Sequence, residues 1–382
     1  MITKDKHQKH TALTKPTYGE FHRNELAILG TSCSAIRNLV SELAVRLSAS
    51  YKSAYVDKEH GNGEGEAPPM VQFMEKDHTS CIDSPRPLSA FDRRRLFNSE
   101  DLVFINGNHF RGQHQILVLD PQKNVENKLD RLTDVRLVLL NEKNLTLPAF
   151  VKERLPDWQQ IPVLQISEIE SIAGWVKGWL MTRIPPVNGL VLAGGESRRM
   201  QKDKGELKYY GTSQREHVQA LLRPLCSATY LSCNPSQATA IGDKAGMLID
   251  TFQGLGPMGG ILSAFRKDPN GAWLTVACDL PLLTSSTLQY LIKHRNPSKL
   301  ATAFFDSDAK FPEPLVTLWE PRAYAVLLEY LSQGYSCPRK VLINSDVELL
   351  TAPDPHEFYN VNHPDEYEKV VQELKVSGGK TG

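Results

Sequence analysis

Short apolar runs at residues 187–192, 230–233, 247–249 and 273–278 alternate with stretches of helical periodicity at 214–222, 259–265 and 285–294. Strands separated by helical crossovers do not pair as hairpins. They build a mostly parallel sheet with helices packed on its faces. Such a sheet presents the carboxyl ends of its strands to a ligand, so the polar residues standing there carry the most information. They are Asn234 after the second run, Asp250 after the third and Asp279 after the fourth.

The first run leads into a distinctive loop, Leu192-Ala-Gly-Gly-Glu-Ser-Arg-Arg-Met-Gln-Lys-Asp-Lys204. Gly194 and Gly195 carry no Cβ and adopt positive φ readily, so their N–H groups can turn toward phosphate oxygens. Arg198, Arg199, Lys202 and Lys204 can then offset a polyanion, Arg as a planar fork and Lys as a point charge. After Asp250 comes Gly254-Leu-Gly-Pro-Met-Gly-Gly260, a turn that feeds a helix and lets backbone approach a flat ligand, with Gly256 and Gly259 at its centre. Mg²⁺ takes one or two carboxylates plus substrate phosphates, and Asp279 at a strand end has the character required. Each element has a plainer reading taken singly. A strand-terminal Asp caps a turn, and Asn360 and Asn362 are turn formers before Pro364. The ordered combination is what is specific.

The first half opens on an apolar run at 25–30, followed by a helical stripe of Ile36, Leu39, Val40, Leu43 and Leu47. Further strand-like runs lie at 102–106, 116–119 and 136–140, and a helix is expected over 168–180. Residues 57–69 have no periodicity and read as a loop. Gly30-Thr-Ser-Cys-Ser-Ala-Ile-Arg37 stands where a phosphate-binding P-loop would be, but Ala35, Ile36 and Arg37 replace its second Gly, its Lys and its Ser/Thr. Nothing is then left to hold β- and γ-phosphates with Mg²⁺.

With 382 residues, two domains are expected, and Pro185-Pro186 marks an extended linker between them. Lys plus Arg equals Asp plus Glu at 44 each, which argues against a nucleic-acid surface while allowing a local basic pocket. No apolar run approaches the roughly 18 residues of a membrane span, and residues 1–19 have no signal-peptide pattern, so a cytoplasmic protein is expected. The six cysteines form no Cys-x-x-Cys pair, and Cys278 reads as a buried strand residue.

From residue 187 to about 371 the chain resembles the molybdenum cofactor guanylyltransferase (MobA) family. The family's L-A-G-G-x-S-x-R-M-G-x-D-K stands at 192–204, G-P-L-x-G at 256–260, C-D-x-P at 278–281, and N-x-N-x-P-x-[DE] at 360–365. The resemblance implies that Leu192, Ala193, Gly194 and Gly195 hold a nucleotide, with Lys204 on its phosphates. It also implies nucleotide contacts from Asn234, Asp250, Gly256 and Gly259, Mg²⁺ on Asp279, and Asn360 and Asn362 toward the pterin. One departure stands out: Gln201 occupies the position of the family's glycine, where a positive φ would cost Gln about 1 kcal/mol. The implied reaction is attack of the molybdopterin phosphate on the α-phosphate of GTP, releasing pyrophosphate. Arg198, Arg199, Lys204 and Asp279 would carry it.

Residues 25–180 resemble, more diffusely, the companion adapter family MobB, a P-loop protein of the same pathway. The expected organisation is a tail at 1–20, a degenerate MobB-like domain at 21–183, a linker at 184–187, a MobA-like domain at 188–374 and a tail at 375–382. Both domains are expected to be Rossmann-like and three-layered, with mostly parallel sheets and helices on both faces. For the first, docking partners, binding molybdopterin, pure scaffolding and a structural domain with no ligand all stay open. GTP, molybdopterin and cofactor-receiving apo-enzymes are the expected partners. The alternatives are a nucleotidyltransferase using another base or phosphate acceptor, and a non-catalytic cofactor adapter.

Overall fold

Glu25-Leu-Ala-Ile-Leu29 is apolar almost throughout and buried at every position, as a strand covered on both faces must be. It forms the central strand β1 (Glu25–Leu29) of a computed structural model that describes residues 19–58, 69–143, 145–193, 203–241, 246–306 and 310–378. The chain divides into two compact units, Met1–Arg183 and Ile184–Gly382.

In the first unit, β1 is followed by α1 (Cys33–Leu47), β2 (Ser53–Val56), the hairpin β3 (Gln72–Lys76) and β4 (Thr79–Asp83), and α2 (Ala90–Leu96). Then come β5 (Leu102–Asn106), β6 (His114–Leu119), β7 (Val135–Leu140), α3 (Ala149–Arg154), β8 (Val163–Gln165) and α4 (Ile169–Met181). The sheet has the order β2-β5-β1-β6-β7-β8, parallel at every junction. The stripe read from the sequence is buried: Ile36, Leu39, Val40, Leu43 and Leu47 of α1 pack with Ile172 and Val176 of α4 on Leu26 and Ile28. Leu29, Leu117 and Leu119 face the other way, onto Val125 and Val151. α1 begins three residues before its apolar stripe, because Ser32 caps it by accepting a hydrogen bond from Ala35 N.

The second unit runs β9 (Val187–Leu192), α5 (Gln214–Leu222), β10 (Thr229–Cys233), α6 (Pro235–Ile241), β11 (Met247–Ile249), α7 (Pro257–Lys267) and β12 (Ala272–Ala277). It continues with α8 (Ser285–Lys293), β13 (Ala301–Phe305), β14 (Pro312–Trp319), α9 (Ala323–Ser332), α10 (Pro338–Ile343), β15 (Glu348–Leu350) and α11 (Pro364–Gly378). The sheet order is β11-β10-β9-β12-β14-β13-β15, and only β14 runs against its neighbours. Leu190 and Leu192 of β9 point to α7 and α9, while Val191 and Ala193 beyond it point to α5 and α8. That alternation places helices on both faces of a mostly parallel sheet. The strand at 312–319 was not legible beforehand, since Pro312 and Pro314 argue against a central strand. Its pairing with β12 is recorded from Val316 onward, past both prolines.

Candidate active site

Parallel pairing aligns the ends of β11, β10, β9 and β12, so Asp250, Asn234, Ala193 and Asp279 stand along one edge of the second sheet. Beyond β9, residues 194–202 lie outside the described residues, and with them Gly194, Gly195, Arg198, Arg199 and Gln201. Lys204 re-enters this edge from a single helical turn at Lys204–Glu206, capped by Asp203, which accepts from Gly205 N at 2.9 Å. Its Nζ lies 3.3 Å from Asp279 Oδ2 and donates to Asn362 Oδ1 at 2.6 Å. Three segments far apart in sequence thus meet at one ammonium group.

The C-terminal segment is fixed from several sides. Val361 N donates to the backbone oxygen of Asp279 at 3.0 Å. Glu366 Oε2 accepts from Asn362 N at 2.6 Å and His363 N at 2.9 Å, a carboxylate at the start of α11 where the helix dipole favours it. Tyr367 packs its ring 5.0 Å from Tyr209 and donates its hydroxyl to Lys208 O. Asn362, which the family pattern puts on the pterin side, therefore also borders the Lys204–Asp279 pair.

Two oxygens here are buried without a hydrogen-bond partner among the described residues, Asp279 Oδ1 and Asn360 Oδ1. An orphaned buried acceptor costs about 1–3 kcal/mol and marks a place where a ligand completes the structure. Both are hard oxygens suited to Mg²⁺. Among the described residues no three His, Cys, Asp or Glu side chains form a complete metal cage.

On the other side of β9, Asp250 accepts from Ser232 Oγ at 2.6 Å. Burial pushes its carboxyl above the usual carboxylate range, and the Ser232 hydroxyl offsets part of that. A raised folded-state pKa means that the cost of the buried charge builds as pH rises from the unfolded carboxyl's range, is full above the folded pKa, and vanishes only below the unfolded one. Asp250→Asn is therefore expected to raise the melting temperature more at pH 8 than at pH 4.5. Thermal unfolding at both values checks this, and an equal shift at the two would refute it.

Gly254 (φ 76°) and Gly256 (φ 56°) take the left-handed turn that aims α7, with Pro257 at its first position. Gly259 and Gly260 serve close approach: a Cβ on Gly260 would lie 2.5 Å from Ser232 Oγ and 2.9 Å from Leu192 Cδ2. Asn234 has a structural task, since its Oδ1 accepts from Gln237 N at 2.8 Å and caps α6. Two residues escaped the sequence reading. Gln237 donates from Nε2 to Ala193 O at 3.0 Å, holding the backbone at the mouth of the glycine loop. Arg215 is buried beneath the Lys204 turn. The spacing Asn234-x-x-Gln237 was the available signal for the first, as a capping pattern; nothing marked the second.

The chain is similar in its second half to a molybdenum cofactor guanylyltransferase of Xanthomonas euvesicatoria, 30% identical over 205 residues, which cover 50% of this chain and 98% of the relative. The pattern of the MobA-like NTP transferase domain matches residues 189–348. The chain belongs to the MobA-like NTP transferase family. Its second unit is a nucleotidyltransferase domain, and the edge that gathers Lys204, Asp279 and Asn362 is that domain's candidate active site. A molybdenum cofactor biosynthesis bifunctional protein of Synechocystis is 34% identical over 187 residues, covering 48% of this chain and 54% of that relative. The chain thus matches about half the length of that relative. For the first unit, the solved MobB protein homolog from Bacillus stearothermophilus covers 42% of this chain and 99% of its own, at 20% identity and a TM-score of 0.30.

The first unit's own carboxyl edge is occupied by internal partners. Gly30 adopts a positive φ (99°), and a Cβ there would meet Val118 O at 2.1 Å. The positions that would hold phosphate are replaced: Cys33 Sγ lies 3.2 Å from His109 Nε2, and Lys128 Nζ donates to Asn108 Oδ1 at 2.7 Å. Asp57 accepts from Tyr55 OH at 2.9 Å and Asn106 Nδ2 at 2.8 Å. Burial raises its carboxyl, but these bonds and Lys58 N and Arg37 outweigh it and hold the pKa low. Residues 59–68 of the expected loop lie outside the described residues. Among the described residues, no helix is long and apolar enough to cross a membrane.

Proposed function

We propose that the second unit transfers GMP from GTP to the phosphate of molybdopterin, giving molybdopterin guanine dinucleotide and pyrophosphate. The convergence of Lys204, Asp279 and Asn362 at the end of β12 carries this reading. The nucleotide lies along the β9–β11 ends, against Leu192, Ala193, Gly194, Gly195, Asn234, Asp250, Gly256 and Gly259. The acceptor lies toward Asn360 and Asn362. Asp279, with Asn360 or Asn362, would hold Mg²⁺, which when bound supplies charge neutralisation to the triphosphate.

The attacking phosphate is already an anion, so no residue need remove a proton. What the chain supplies is alignment and positive charge. Lys204 holds its ammonium group beside the α-phosphate, fixed by Asn362 and Asp279. Arg198 and Arg199, on the loop beyond Ala193, add forked donors to the departing pyrophosphate. Gln237 keeps the Ala193 carbonyl turned away from the phosphates by occupying it. The first unit is a degenerate MobB-like domain in this reading, placed at 21–183 and joined to the transferase domain at 188–374 through 184–187. Cofactor-receiving apo-enzymes are candidate partners of the chain as a whole.

The test is incubation of the purified chain with molybdopterin, Mg²⁺ and either GTP or CTP, with detection of dinucleotide and pyrophosphate. Guanine dinucleotide from GTP alone is expected. Product from CTP alone would overturn the base, and binding of molybdopterin without product from either nucleotide would overturn the reaction.

A further inference from the structure

Arg215 is 4% exposed, in the first turn of α5, and its guanidinium lies under the turn that carries Lys204. Its Nε donates to Gly205 O at 3.4 Å, Nη2 lies 3.5 Å from Asp203 Oδ2, and Nη2 also bonds Glu206 Oε1. Asp203, Gly205 and Glu206 are the immediate neighbours of Lys204. A Cβ on Gly205 would stand 3.3 Å from Arg215 Nε, so glycine lets the turn sit directly on the guanidinium. Nη1 is buried and finds no partner among the described residues.

A buried guanidinium with an unmet donor is expensive, and a well-packed apolar side chain would serve packing alone better. α5 has other anchors: Val218 and Leu222 are fully buried, and Gln214 N already bonds Leu207 O at 2.8 Å. The contacts of the guanidinium, by contrast, all converge on the turn around one residue.

We infer that Arg215 is a positioning residue for Lys204, holding the Asp203–Glu206 turn so that the ammonium group is fixed against the nucleotide phosphates before substrate arrives. The inference rests on the reading of Lys204 as the phosphate cation of a nucleotidyltransferase. It assigns Arg215 no contact with substrate. Arg215 acts only through Lys204, and removing it should matter only while Lys204 is present.

A double-mutant cycle tests this with Lys204→Met, Arg215→Met and the combined variant, each in the full chain. Arg215→Met is expected to lower kcat/KM for GTP about 30-fold, at temperatures well below its melting transition. In the Lys204→Met background the same change is expected to cost less than about threefold. Arg215→Lys, which keeps charge but not the fork, should recover only part of the loss. Equal losses in both backgrounds would overturn the inference, since a general packing role does not depend on Lys204. Calorimetric titration of the four chains with GTP reads the same cycle without turnover. Additive affinities there would overturn the inference as well, even if the proposed acceptor proved wrong.

Discussion

Asp279→Ala is expected to lower kcat for dinucleotide formation by a factor of about 10² to 10³, while the protein remains at least as stable as the parent. These two effects separate because of what the carboxylate does in the folded chain. Asp279 Oδ1 is buried with no hydrogen-bond partner among the described residues, so removing it relieves a desolvation cost of about 1–3 kcal/mol. Oδ2 gives up its 3.3 Å contact to Lys204, but Lys204 keeps its 2.6 Å bond to Asn362. The backbone bond from Val361 to Asp279 O is untouched by the substitution. In the proposed reaction, activity falls because the carboxylate that would hold Mg²⁺ is gone. A site that is costly to the fold and needed for chemistry is the usual trade of stability against activity. Pyrophosphate release and thermal unfolding on the same preparation decide the matter. Activity within tenfold of the parent would remove Asp279 from the metal site, and a large fall in melting temperature would make it structural.

Gly259→Ala is expected to be strongly damaging for so conservative a change, costing about 1–3 kcal/mol by overpacking. The new Cβ would lie 2.2 Å from the backbone oxygen of Phe252, and that oxygen cannot retreat. Phe252 N and Thr251 N both donate to Ser263 Oγ, so the strand-to-helix turn is tied to α7 on each side. A shift in the urea midpoint and a weaker affinity for GTP should appear together, because this turn borders Asp250. Gly174→Ala in α4 is the control: its Cβ meets nothing within 4 Å, so about 0.5–1 kcal/mol of stabilisation is expected from helix propensity. If Gly259→Ala unfolded no earlier than the parent, the close approach would have no energetic meaning.

The sequence was most legible where one physical signal sufficed. The stripe of Ile36, Leu39, Val40, Leu43 and Leu47 is buried together, and the runs at 187–192 and 273–278 became the adjacent parallel strands β9 and β12. Periodicity reports burial, and burial at a fixed face needs only local spacing. The reading was weakest where two signals conflicted. The β14 strand hides behind Pro312 and Pro314, and its neighbours β13 and β15 are short. The hairpin of β3 and β4 is exposed at every position, so no half-buried alternation announced it.

By itself, the sequence determined the fold class and the edge along which the candidate residues stand. Strand, crossover and strand in succession force parallel pairing, and parallel pairing sends every strand end to one side. It also named Lys204, Asp279 and Asn362 as separate candidates. Only the tertiary structure decided that they meet, because Lys204 and Asn362 are brought together by contacts such as Val361 N to Asp279 O, whose partners lie far apart in the chain. It alone showed Arg215 under the Lys204 turn and Gln237 on Ala193 O. An Arg or a Gln in the first turn of an ordinary helix looks like a solvated residue in sequence. What each one touches is set by the packing of elements against one another, and no local spacing encodes that.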